Sequence, residues 1–180
     1  MFKIIILTSV IMSLQFCSVN KIERYSNTKS VINLETFFNE KIIIYGSIYD
    51  FFGRLDKIFI MKSNKINNTK NDGKTIYSQS IKYLDTEKTE HIKSYAIFDK
   101  KDLHNFIYKH KIMVSESNCQ QHGNAAHCTY DSQVKIHDGS TMVVFNDAWF
   151  YMIDENHIIG NIKIKKFGIT LADVILQIEK

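Results

Sequence analysis

The sequence contains no proline at all. Alongside its heavy use of Lys, Asn and Ile, that absence reads as the compositional bias of an AT-rich genome and points to no function. A glycine-rich phosphate loop, a serine nucleophile elbow and a dinucleotide fingerprint are missing too, which removes the commonest nucleotide-binding and hydrolase signatures. The formal charge of +4 is carried by isolated lysines along the chain. Without a clustered Lys/Arg stripe, nucleic acid is not an expected partner. There is no internal repeat.

What the chain does have is length and β-formers. Its 180 residues, 44% hydrophobic, suffice for one domain with a substantial core that does not depend on disulfides. Abundant Tyr, Phe and Ile favour strands over helices. The pattern is clearest in residues 141–180, where Asn161, Lys163 and Lys165 alternate with Gly160, Ile162 and Ile164. That is the period of a strand with one wet and one buried face. Asp154, Glu155 and Asn156 read as a hairpin turn, and Gly168 permits a corner before the last strand. Residues 42–49 are apolar on both faces, as expected of a covered central strand or the inner wall of a barrel, and Gly46 suggests a bend or bulge. Further strands are predicted over 57–62, 75–84, 91–98, 106–114 and 124–136, with a short amphipathic helix as the alternative for 100–109. Eight to ten such strands make an all-β antiparallel barrel or sandwich.

The N-terminus reads as an address. Lys3 precedes an apolar run at 4–12 that is too short to span a bilayer comfortably, the layout of an export signal. Leu14, Gln15, Phe16 and Cys17 resemble a lipoprotein cleavage box with Cys17 as the lipid attachment site, although Phe16 stands where a small residue is usual. The expected location is the bacterial cell envelope, facing the periplasm as a membrane-anchored lipoprotein. A soluble periplasmic protein and an uncleaved anchor are the competing readings. Residues 18–33 are polar and read as a tether, which puts the domain at 34–180.

Candidate chemistry is sparse. Cys119, His122, His127 and Cys128 follow a C-x2-H-x4-H-C spacing, which admits a zinc site, free thiols or a Cys119–Cys128 disulfide. Export favours the disulfide, and adjacent His127 and Cys128 point to opposite faces of a strand, so neither a metal nor another cofactor is expected. A Cys–His nucleophile in the same cluster lacks an orienting third group. Asp50, Asp147 and Asp154 fit turn caps at strand ends better than paired acid–base carboxylates. Asn124 beside Gly123 fits a tight turn, and the aromatics at 51–52 and 149–151 fit a core or a cavity wall.

Taken in order, Asp50-Phe51-Phe52-Gly53-Arg54, Gly123-Asn124-Ala125, Phe145-Asn146-Asp147 with Trp149, and Lys166-Phe167-Gly168 resemble the bacterial family known as domain of unknown function 3833. The likeness spans residues 38–180. It implies an exported, lipid-anchored envelope protein with a lipocalin-like (calycin-type) barrel, and genes of this family often neighbour genes for modifying membrane fatty acids. This chain has Phe51 where the family form has arginine, with Arg54 as the stand-in, and an extra residue around Ala148. On these motifs the expected ligand-binding set is Asp50, Phe52, Gly53, Arg54, Asn124, Asp147, Trp149 and Phe167. The leading expectation is a non-enzymatic barrel that holds a lipid or other hydrophobic small molecule. An enzyme or accessory acting on membrane lipid, and a structural protein docking a partner, are the alternatives.

Overall fold

The structure, a computed structural model, describes residues 21–66, 73–136 and 139–180. The expected export signal and its candidate lipid site Cys17 lie outside them. Ten antiparallel strands form a closed barrel in which each pairs with its sequence neighbours and the last returns to the first. They are β1 (Ile42–Asp50), β2 (Leu55–Ile66), β3 (Thr75–Tyr83), β4 (Thr89–Phe98), β5 (Asn105–His110), β6 (Asn118–His122), β7 (Ala125–Lys135), β8 (Thr141–Met152), β9 (His157–Lys166) and β10 (Ile169–Glu179). Without proline, every strand residue has an N–H to give to the ladder, and closure removes the free edges that invite aggregation.

Alternation sets the inside and the outside. On β8, Val144, Asn146 and Ala148 are buried while Val143 and Phe145 are exposed. On β9 the buried Ile158 and Gly160 continue the inward row. Gly46, expected at a bend, is regular strand, and the register shift falls instead between Ile48 and Tyr49. The strand at β6 was not expected, because Asn-Cys-Gln-Gln-His lacks β-formers; its pairing with β7 carries it. The helical alternative for 100–109 gives way to a turn and the start of β5. The seam between β5 and β6 is short, with only the pairs Asn105–Gln120 and Phe106–Cys119. There the connecting segment 111–117 lies against β7: Val114 N–H donates to the Asp131 carbonyl and Gln133 N–H to that of Ile112, each at 2.9 Å.

One barrel end is closed by the N-terminal segment. Ile32, Leu34 and Phe37 are buried, the last two in the single-turn helix α1 (Leu34–Phe37), whose first turn is capped by the Asn33 side chain accepting from Thr36 N–H at 3.1 Å. Gln121 pins this cap, accepting from Leu34 N–H at 3.2 Å and donating to the Leu103 carbonyl at 2.6 Å. The described part of the expected tether, residues 21–33, is therefore packed structure. Its 3-10 turn (Ile22–Tyr25) buries Ile22 against β6 and β7, and Ile32 N–H donates to the Gly123 carbonyl at 2.6 Å. The surrounding polar residues hid two isoleucines, Ile22 and Ile32, that anchor it.

Candidate functional site: the barrel cavity

The barrel is not filled by its own side chains. A cavity of about 290 Å³ remains inside, near the lower end of the range for small-molecule sites. Leu34 and Phe38 reach it from the cap, and Ile112 and Met113 from the segment beside the short seam. Ile112 is exposed as well as lining, so the cavity approaches the surface there. Strands β8 to β10 and β1 supply an aliphatic and aromatic wall that includes Ile44, Phe150, Ile158, Ile162 and Leu176. Facing them, β3 and β5 contribute Tyr77, Gln79, Tyr108 and His110, with Ser117 nearby and Tyr130 from β7.

Those polar groups are held uncharged. Burial pushes the Tyr77, Tyr108 and Tyr130 hydroxyls above the ordinary phenol range. Burial, aided by the neighbouring Lys111 charge, holds the His110 imidazole below its usual value. No Asp, Glu, Lys or Arg among the described residues lines the cavity. The arrangement solvates apolar surface and neutral hydrogen-bonding groups.

None of the eight residues expected to bind a ligand lines this cavity. Asp50, Phe52, Gly53 and Arg54 form the β1–β2 turn. The Asp50 carboxylate accepts from the backbone N–H groups of Phe52 and Arg54, each at 2.9 Å, and pairs with the Arg54 guanidinium at 2.7 Å, which holds its carboxyl below the usual range. Gly53 supplies the positive φ of 76° that this turn requires. Phe52 is 75% and Phe167, in the β9–β10 turn, 92% exposed. Asn124 ties the β6–β7 turn to the N-terminal segment, its N–H donating to Thr28 Oγ1 at 2.8 Å.

Asp147 and Trp149 lie mid-strand on the outer wall of β8, not at a strand end. Asp147 Oδ1 is 2.9 Å from His127 Nε2 and accepts from Trp149 Nε1 at 3.1 Å, while Oδ2 takes Lys165 Nζ at 2.6 Å. Burial pushes its carboxyl up, but the bonds from Lys165 and His127 outweigh that and leave it lowered. The His127 ring stacks on Trp149 with centroids 4.1 Å apart, and Tyr25 packs over Trp149 and Tyr151. The four polar and aromatic groups satisfy one another beneath the N-terminal segment.

Cys119 and Cys128 face each other across β6 and β7 and are joined by a disulfide. Their side chains are buried, whereas His122 and His127 occupy the other face of the same strands, His122 stacked on His104. No group of three or more potential metal ligands occurs among the described residues. Sequence reasoning missed the cavity's own polar residues. The trace was present in β3, where Tyr77, Gln79 and Ile81 share one side of the alternation, so a glutamine rides on an apolar face.

With the geometry in hand, similarity to known proteins is informative about fold and family. No curated protein matches the sequence. Among solved structures, the S-type phycobiliprotein lyase CPES from Guillardia theta is similar, with a TM-score of 0.57 and 7% identity, covering 89% of this chain and 98% of that one. At that identity the likeness is one of fold, and it places the barrel in the lipocalin-like, calycin-type class. The profile of the family described as "Protein of unknown function (DUF3833)" matches residues 11–180, so the chain belongs to that family.

Proposed function

We propose that this protein is a binding module of the bacterial envelope that carries a hydrophobic small molecule, lipid-derived in the leading version, inside its barrel. The observation that carries this reading is the cavity of about 290 Å³, walled mostly by Ile, Leu, Phe and Met and closed at one end by the N-terminal cap. Removing apolar ligand surface from water there contributes roughly 25 cal/mol per Å². Export and a lipid anchor at Cys17 would keep the cavity close to a membrane supply. A link to the modification of membrane fatty acids belongs to the same proposal and rests on the family resemblance.

An enzymatic reading built on Asp50, Arg54, Asn124 and Asp147 needs those groups to converge. They are spread over two turns and the outer wall, which counts against it. The test is native mass spectrometry of the protein purified from its own membranes, followed by organic extraction. A stoichiometric apolar ligand supports the reading; a bare polypeptide mass with no uptake on titration overturns it.

A further inference from the structure

Five buried side-chain polar atoms among the described residues lack a well-aligned hydrogen bond: Ser63 Oγ, Tyr77 OH, Gln79 Oε1, Ser94 Oγ and His110 Nε2, although the Ser94 and Gln79 side chains also interact with the Tyr108 hydroxyl. Scattered, they would be packing defects. The register instead gathers all five on one wall. Ser63 stands opposite Gln79 across β2 and β3, Tyr77 opposite Ser94 across β3 and β4, and Ser94 opposite His110 across β4 and β5. Neighbouring strands lie about 4.8 Å apart, so the patch spans roughly 14 Å of one inner surface. Tyr77, Gln79 and His110 line the cavity, and the first two are themselves over nine-tenths buried. Buried polar groups are ordinarily paired, and a cluster of poorly paired ones facing a cavity marks where a guest supplies the partners.

We propose that the cavity selects an uncharged amphiphile with a hydroxyl or amide head, held by Tyr77, Gln79 and His110. This rests on the carrier reading above and specifies its ligand. The head must both donate and accept. His110 Nδ1 accepts from Ile112 N–H at 3.4 Å, which leaves the ring proton on Nε2 as a donor. Gln79 Oε1 is an acceptor, and the Tyr77 hydroxyl is either. A carboxylate or phosphate would enter without a fixed counter-charge, because no Lys or Arg lines the cavity and the one imidazole there, His110, resists protonation, and burying an unpaired charge is far costlier than burying a hydroxyl. The apolar body lies against the facing wall of Ile44, Ile158, Ile162 and Leu176. His110 stands beside Ile112, where the cavity approaches the surface, so the head is recognised close to the point of access.

The experiment is displacement of N-phenylnaphthylamine, a neutral fluorescent dye, from the purified protein at pH 8 by four probes of equal chain length: decanol, decanamide, decanoate and decane. Decanol and decanamide should displace the dye at concentrations at least tenfold below those of decanoate and decane. Gln79→Leu should bring decanol to the level of decane without weakening decane. Tyr77→Phe, which keeps ring and volume, should lower decanol affinity severalfold should Gln79→Leu not fold. Equal displacement by decane and decanol, or preference for decanoate, overturns the head-group assignment and leaves the carrier reading standing. Failure of the dye and every probe to bind overturns both.

Discussion

The Phe59 ring fills the space that a β-carbon on Gly46 would occupy, the two residues standing directly opposite each other on β1 and β2. Glycine here makes room inside the barrel for an aromatic ring. Gly46→Ala must push that ring aside, and overpacking of this kind costs about 1–3 kcal/mol. Urea unfolding should show the lowered midpoint, and pairing Gly46→Ala with Phe59→Leu should recover much of it. A single variant as stable as the parent would contradict the close approach.

Removing the Cys119–Cys128 link should destabilise the barrel while changing the cavity wall only at Cys128, by one sulfur atom. The two residues are nine apart and already paired across a hairpin, so the constraint on the unfolded chain is worth about 2–3 kcal/mol. A Cys119→Ala, Cys128→Ala double variant is expected to unfold at lower urea yet bind the same apolar dye. Loss of dye binding in a protein that is still folded would show that the disulfide shapes the cavity directly.

The N-terminal segment should come loose when Gly123 acquires a side chain. Gly123 has φ +51°, and a β-carbon there would collide with the Tyr25 carbonyl and the Thr28 hydroxyl. Gly123→Ala therefore combines backbone strain of roughly 1–3 kcal/mol with the loss of a docking contact. Hydrogen exchange should quicken in residues 22–32 before the strands respond. Uniform quickening through the barrel would mean that the segment is part of the cooperative core.

The barrel was legible in the sequence because a closed sheet repeats one rule. Alternation in β9 states which face is inside, the doubly apolar β1 marks a covered strand, and the β1–β2 and β9–β10 turns carry Gly53 and Gly168. β6 escaped because its strand character comes from pairing with β7, not from its own residues. The site was less legible. Motif residues such as Asp50, Gly53 and Asn124 stand out because turns demand particular chemistry, and turns lie at the barrel's rim. The inner polar patch is assembled from one or two residues on each of four strands, which only the register brings together.

Asp147 should contribute an acid-sensitive share of stability. Its folded pKa lies below the ordinary carboxyl value of 3.8, because the bonds from Lys165 and His127 outweigh burial. The contribution is thus complete above about pH 4 and is lost as pH falls through the folded pKa, when the carboxylate is protonated. Asp147→Asn is expected to cost about 1 kcal/mol near neutrality and to flatten the fall in stability below pH 4. Unchanged acid unfolding would place the sensitivity elsewhere.

His110 should write a second, higher window into the same curve. Burial and the Lys111 charge depress its folded pKa below the ordinary histidine value of 6.5. Above that value the ring is neutral in both states and stability is level. As pH falls below it, the unfolded chain takes up a proton that the folded ring resists, so stability declines until pH has passed through the folded pKa. His110→Gln cannot take up that proton and should remove this part of the slope. Urea midpoints compared at half-unit steps between about pH 5 and pH 7.5 read the difference, across the range where an unperturbed histidine titrates. Parallel curves for parent and variant would mean that the ring is solvated and the wall beside Ile112 is open to water, which would also undo its role as the donor to a neutral head group.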